Sequence, residues 1–324
     1  MPLPFIASLP ESKEEAMTAA SPPAKAPGGG FSWAALLFLG PAGLLLSAFL
    51  VFPTIYTLFL SFNRGRGGEF TNWVGGDNWI RLFTQDPNFL RLGFPPSGAL
   101  WNNVLWIVFY VSLTVLFGLV VAVMATRVKY EAWVKGIVFL PQAIAATSLA
   151  IIWRFVYSPD PNTGLMNAVL GIADVGPVAL LGNPDTVNWA LIAVGIWASV
   201  GFATVILSAA IKGISTEVLE AARVDGATEP QIFWRIIVPM VSLPIAVVSV
   251  TLIVNVIKLF DLIYVMTAGG PGASSRVIAF SMYQEAFPQG QFGYGATIAI
   301  VMLLLLVPVM IFNIRRFRAE AVQQ

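Results

Sequence analysis

Two sets of residues in this 324-residue chain carry charge or hydrogen-bonding groups at a spacing that could do work. The first is Glu220, Ala221, Ala222, Arg223, Val224, Asp225, Gly226 and Ala227, a charged and small-residue island between two long apolar runs, with Phe233 and Pro239 beyond it. Ser215 or Thr216 can cap a helix at its start, and Glu217 and Glu220 fall in the first turns, where the helix dipole favours acids. Gly226 interrupts the run, and Pro230 sits where a second helix could begin. The pattern predicts two short, stiff, amphipathic helices, with Ala221, Ala222 and Ala227 small enough to admit a partner closely. The second set is Asn255, Lys258 and Asp261, three residues apart in an otherwise apolar stretch. On one helix they share a face, and the two charges could pair. Charges at membrane depth are costly and tend to be kept for a purpose. Two readings of the stripe stand: the wall of a polar pathway, or an interhelical ion pair near the interface with the Lys258 stem snorkelling.

Composition removes most other chemistry. The chain has no His and no Cys, so disulfides, imidazole or thiolate metal sites and His-dependent nucleophilic triads are all excluded. No Gly-x-x-x-x-Gly-Lys-Ser/Thr sequence occurs, so the chain carries no P-loop for nucleotide hydrolysis. A formal net charge of +1 without a clustered basic excess gives no sign of nucleic-acid binding. An intramembrane enzyme would need paired groups at depth, and Asp261 stands alone. An ion-gradient-driven transporter, the alternative reading, would carry acidic or His relays inside its spans.

The elements that must position these residues are membrane spans. With 57% hydrophobic and 11% charged residues the chain lies outside the soluble range. Residues 1–30, rich in Glu, Lys, Pro and Gly, read as a disordered tail without the apolar core of a signal peptide. Six spans follow, at about 33–62, 102–125, 134–157, 189–211, 239–262 and 294–313, with Pro41, Pro53 and Pro141 inside apolar runs. A short amphipathic helix is predicted near Asp77–Thr84 and another around Ile278–Phe287; the charged island occupies 212–238 and a basic tail 315–324. Lys13, Lys25, Arg127, Lys129, Lys135, Lys212, Arg223, Arg235, Arg315, Arg316 and Arg318 fall on the side of the termini. Only Arg64, Arg66, Arg81, Arg91 and Arg276 fall opposite. The positive-inside rule therefore makes both termini and the 212–238 loop cytoplasmic. Arg154, beside Trp153 and Tyr157, reads as an interfacial anchor or, less simply, a site residue.

Glu220-Ala221-Ala222, two residues, Asp225-Gly226-Ala227, then Phe233, Ile236 and Pro239 resembles the "EAA" loop in the membrane subunits of bacterial ABC importers. Phe260 to Thr267 with Gly269-Gly270-Pro271 is similar to the carbohydrate branch, the maltose and alpha-glucoside permeases. The resemblance covers residue 31 to the C-terminus. It implies an all-α integral membrane fold of six transmembrane helices with a cytoplasmic EAA coupling helix, as in type I importers. It further implies a non-enzymatic permease subunit in the bacterial inner membrane, one half of the path for an oligosaccharide such as maltose or trehalose. The implied partners are a second, homologous permease, two ATPase subunits carrying ATP and Mg, and an extracytoplasmic sugar-binding protein; this chain itself would need no cofactor or metal. By position, Glu220, Ala221, Ala222, Asp225 and Gly226 would dock the ATPase. A sugar path needs hydrogen-bonding groups beside aromatic rings, so Asn255, Lys258, Asp261, Tyr264, Trp197 and Phe202 are its candidates. Leu252, Val256 and Leu259 depart from the maltose permease, so its sugar contacts do not carry over as a set.

Overall fold

The computed structural model describes residues 33–65, 72–92 and 97–321. The predicted tail at 1–30, the loop residues Arg66 and Glu69, and the last three residues lie outside this range. Among the described residues the secondary structure is helical, apart from isolated bridges between Asn63 and Trp73 and between Arg91 and Ser97.

The chain forms two units that meet in sequence at Pro53 and Thr54. The first contains α1 (Trp33–Leu46) and a π-helical turn, Ser47–Val51. Helix α2 (Phe52–Leu60) runs over the boundary, and the uncharged stretch Leu37–Leu60, at 24 residues, exceeds the roughly 20 needed to cross a bilayer.

After α2 the second unit continues with α3 (Asp77–Thr84), α4 (Ala99–Leu105) and α5 (Ser112–Ala125), the last two joined through a π-helical turn into one membrane-length rod, Ala99–Ala125. There follow α6 (Glu131–Phe139), α7 (Ala146–Val156), α8 (Leu165–Ile172) and α9 (Val187–Lys212). The loop region supplies α10 (Thr216–Val224) and α11 (Glu229–Ile232), then α12 (Val238–Met240) and α13 (Ser242–Ile257). Helices α14 (Asp261–Met266), α15 (Ile278–Ala286) and α16 (Phe292–Ala321) complete it. Among the described residues four stretches are long and apolar enough to span: Leu37–Leu60, Ala99–Ala125, Val187–Lys212 and Phe292–Arg316. The number rises to six if each of two bent pairs is one span.

The bent pairs differ from the straight spans the sequence suggested. After α6 the chain tightens into a 3-10 turn over Leu140–Ala143, and Ile144 then turns extended, at φ −81° and ψ 129°. Pro141 cannot donate a helical hydrogen bond, and with Ala145 also extended the two halves meet at 96°. The fifth segment bends by 73° at Val241 and ends at Ile257, short of the expected 262. Helix α8 was missed because its flanks, Gly164 and Ala173, give no capping signal, while α16 continues past the expected Asn313 to Ala321.

Packing in the second unit centres on α5 against α9, with Leu119, Ala122, Leu191, Val194, Ala203 and Leu207 buried between helices and α13 adding Val248, Leu252 and Val256. Small residues let membrane helices approach closely, where dispersion and backbone contact replace the hydrophobic drive. Two buried asparagines, Asn102 and Asn103, and the half-buried Asn188 lock the end of the bundle where α9 begins. Asn102 donates to the carbonyls of Ser274 and Arg276, each at 2.7 Å, and Asn188 donates to Ser274 at 2.9 Å. Asn103 donates to Val256 O at 3.0 Å and accepts from Ile278 N–H at 2.8 Å, which fixes α4 against α13 and α15.

Candidate functional site

The charged island folds as its residue types dictate. Ser215 Oγ accepts from Glu217 N–H at 3.2 Å and starts α10. The helix closes where Ala227 N–H reaches Ala222 O at 3.0 Å and Gly226 N–H reaches Arg223 O at 3.1 Å, a Schellman pattern that requires a left-handed residue between. Gly226 takes that place at φ +80°. Thr228 N–H then donates to Gln231 Oε1 at 2.8 Å, a cap for α11 with Pro230 in its first turn. Glu220, Ala221, Asp225 and Gly226 are exposed, while Ala222 and Ala227 turn inward and pack on the core with Leu219. The five residues of the motif are therefore together on one turn-and-helix element with an open outer face.

Ion pairs attach this element to neighbouring helices. Glu229 accepts from Arg127, in the turn after α5, and through Oε1 from Arg223 Nε at 3.0 Å. Glu131 at the start of α6 pairs with Lys135 and, through Oε2, with Lys212 Nζ at 2.8 Å, at the end of α9. None of these carboxylates was singled out from sequence. Glu229 had a signal, an acid just ahead of Pro230 in a first turn; Glu131 had its i, i+4 spacing to Lys135.

Towards the middle of the second unit, the bend after α6 faces α9 and α13 across a cavity of about 240 Å³. Its wall includes Trp106, Tyr110, Pro141, Gln142, Ser199 and Asn255, together with Leu149, Leu259 and Leu262. Gln142 and Asn255 are exposed, so the cavity opens on the surface of this chain. Tyr110 donates its hydroxyl to Ser199 Oγ at 2.8 Å, and the buried indole N–H of Trp106 meets no acceptor among the described residues. Aromatic faces and a few convergent polar groups in a mainly apolar wall suit a neutral polar ligand. Gln142 and Ser199 were detectable in principle as polar residues within apolar runs; Trp106 and Tyr110 were not, because aromatic residues in a span usually serve packing.

Of the six path candidates the structure brings only Asn255 to this cavity. Lys258 is the cap just past the end of α13 and Asp261 begins α14, with Phe260 between them at φ −133° and ψ −60°. The helical i, i+3 geometry is thereby lost: both side chains are exposed and, among the described residues, no ion pair joins them. The ion pair that was one of the two readings of the stripe is not formed between them. Tyr264 stacks on Phe260 with ring centres 5.2 Å apart and meets Tyr283 edge-on at 5.6 Å, in a separate aromatic group. Trp197 packs edge-on against Trp153 at 5.3 Å, and Phe202 lies half-buried against the core.

Residues 114–315 match the family described as binding-protein-dependent transport system inner membrane component. The chain is 45% identical, over 88% of its length and 99% of the relative's, to the osmoprotective compounds uptake permease protein GgtC of Synechocystis sp.. It is 38% identical to the alpha-glucoside transport system permease protein AglF of Rhizobium meliloti, across 88% of this chain and 82% of that one. In fold it is similar to a solved bacterial ABC transporter involved in the import of the acidic polysaccharide alginate. That match has a TM-score of 0.73 at 24% identity and covers 89% of this chain and 96% of the other.

Proposed function

The chain belongs to the family of binding-protein-dependent transport system inner membrane components, and from that premise we propose how it works as the permease subunit of an ABC sugar importer. It supplies one half of the path for an oligosaccharide, an alpha-glucoside such as maltose or trehalose. It couples to a separate ATPase through α10, with Glu220, Ala221, Ala222, Asp225 and Gly226 on the docking face. The single observation that carries the path is the cavity bounded by Trp106, Tyr110, Gln142, Ser199 and Asn255. It opens on the surface of this chain and so forms one side of a path. The names of similar permeases support an alpha-glucoside: AglF of Rhizobium meliloti is an alpha-glucoside transport permease, and MalF of Thermococcus litoralis a trehalose/maltose one.

In this reading a second permease closes the open side of the cavity, two ATPase subunits bind ATP and Mg, and a binding protein delivers sugar from outside. The termini and α10 face the cytoplasm, as the distribution of Lys and Arg favours. Asn255 is the path residue with geometric support, while Lys258, Asp261, Tyr264, Trp197 and Phe202 lie away from the cavity wall. The family assignment replaces the ion-driven alternative.

The test is reconstitution of the chain with a homologous permease, an ATPase pair and a binding protein in proteoliposomes. ATP-dependent uptake of maltose or trehalose, lost with Gly226→Pro, supports the reading. Uptake of sugar by the lone chain on a proton or sodium gradient would overturn it.

A further inference from the structure

Three observations converge on α6. Its first turn is tied to the end of α9 by the Glu131–Lys212 pair, and the turn just before it is tied to α11 and α10 by Arg127, Glu229 and Arg223. Its last residues cross α9 at Gly201, where a Cβ would lie 2.3 Å from Val138 O and 2.6 Å from Phe139 Cα, so the helix has no room to slide inward at that crossing. Immediately beyond the crossing, Pro141 and Gln142 form part of the cavity wall. One end of a short rigid helix thus sits in the ion-pair web of the charged island, and the other end is the wall of the candidate sugar path. Exposed ion pairs of this kind contribute little to folding, yet Glu229 engages two arginines from two different elements. A carboxylate used twice in this way fixes a relative position.

We infer that Glu229 is a positioning residue that joins the coupling loop to the α5–α6 turn, so that α6, bearing on α9 at Gly201, carries movement of the loop to Pro141 and Gln142. The inference rests on the coupling role proposed for α10 and names the connection that role would need.

The chain has no Cys, so a Gln142→Cys reporter is a single thiol on this subunit. In the reconstituted complex, the rate of its modification by a small maleimide is read by mass spectrometry of this chain, without nucleotide and after trapping with ATP and vanadate. With Glu229 intact, trapping should change the rate by roughly fivefold or more, the lower end of ordinary coupling between sites. In Glu229→Gln that change should fall below about twofold while the ATPase still co-purifies. Glu229→Asp should restore most of it, and Arg127→Gln, outside the loop, should match Glu229→Gln with no further loss in the double variant. A full response in Glu229→Gln, or in Arg127→Gln should the first variant fail to assemble, overturns the inference. Absence of co-purification or of any response before Glu229 is altered overturns the coupling role itself, and this inference with it.

Discussion

Gly201 and Val138 touch backbone to backbone: a Cβ on Gly201 would stand 2.3 Å from the Val138 carbonyl oxygen, a separation that real side chains do not adopt. The contact lies where α6 ends and the 96° bend begins, so the same crossing sets both helix packing and the shape of the cavity wall.

Two glycines on this pair of helices should therefore respond oppositely to a methyl group. Gly201→Ala forces the backbones apart and should destabilise the isolated chain in detergent by about 1–3 kcal/mol, the usual cost of overpacking. Gly136→Ala, on α6 with open space where its Cβ would go, should stabilise by about 0.5–1 kcal/mol through lower backbone entropy in the unfolded chain. Unfolding midpoints that move in the same direction for both would contradict the crossing geometry.

The spans, the two short helices of the charged island and the amphipathic Asp77–Thr84 helix were legible because apolar length, caps and glycine act locally. What sequence did not reveal was set by tertiary geometry. Pro141 was visible inside the third apolar run, but the 96° bend that follows it depends on Ile144 and Ala145 leaving the helical conformation. Asn255, Lys258 and Asp261 looked like one stripe because helical spacing was assumed across Lys258–Phe260, where the helix has ended. Tyr110, Gln142 and Ser199 come from three different segments, and no local pattern relates them.

Because Lys258 and Asp261 are exposed and unpaired with each other, neither should behave as half of a buried ion pair. Lys258→Ala and Asp261→Ala should each change stability by no more than about 0.5 kcal/mol, and the double variant should equal their sum within about 0.5 kcal/mol. A loss of about 3–5 kcal/mol in one single variant, recovered in the double, would reinstate the pair.

Asn255 offers a sharper test of the cavity. Loss of one hydrogen bond to a neutral sugar is worth about 0.5–1.5 kcal/mol, so Asn255→Ala should lower uptake by a few-fold to roughly tenfold. The effect should sit on uptake at low sugar concentration and leave the amount of assembled complex unchanged. Phe202→Leu, a change within the packed core, should instead affect accumulation of folded protein before it affects sugar dependence. Identical uptake by the Asn255 variant across all sugar concentrations would remove this side chain from the path.

Glu285 is buried on α15 at 6% exposure, with Oε2 lacking a hydrogen-bond partner among the described residues and Oε1 accepting from Gln289 Nε2 at 3.1 Å. Burial pushes its carboxyl above the ordinary range; Asp86 adds to the rise, while Arg81, Arg276 and the Gln289 contact oppose it. A carboxyl raised in the folded state binds its proton more tightly there than in the unfolded chain. Its contribution to stability is present below the unfolded value, about 4.3, and is lost as pH climbs through the folded-state value. The neutral Glu285→Gln variant does not titrate at this position, so its unfolding midpoint should gain on the parent chain as pH is raised from about 4 towards neutrality. An ionised buried oxygen without a partner costs about 1–3 kcal/mol, and the variant should recover part of that at neutral pH. Differential scanning in detergent at several pH values reads the trend directly. A gap that narrows with rising pH would mean that Arg81 and Arg276 hold the ionised carboxylate more firmly than burial disfavours it.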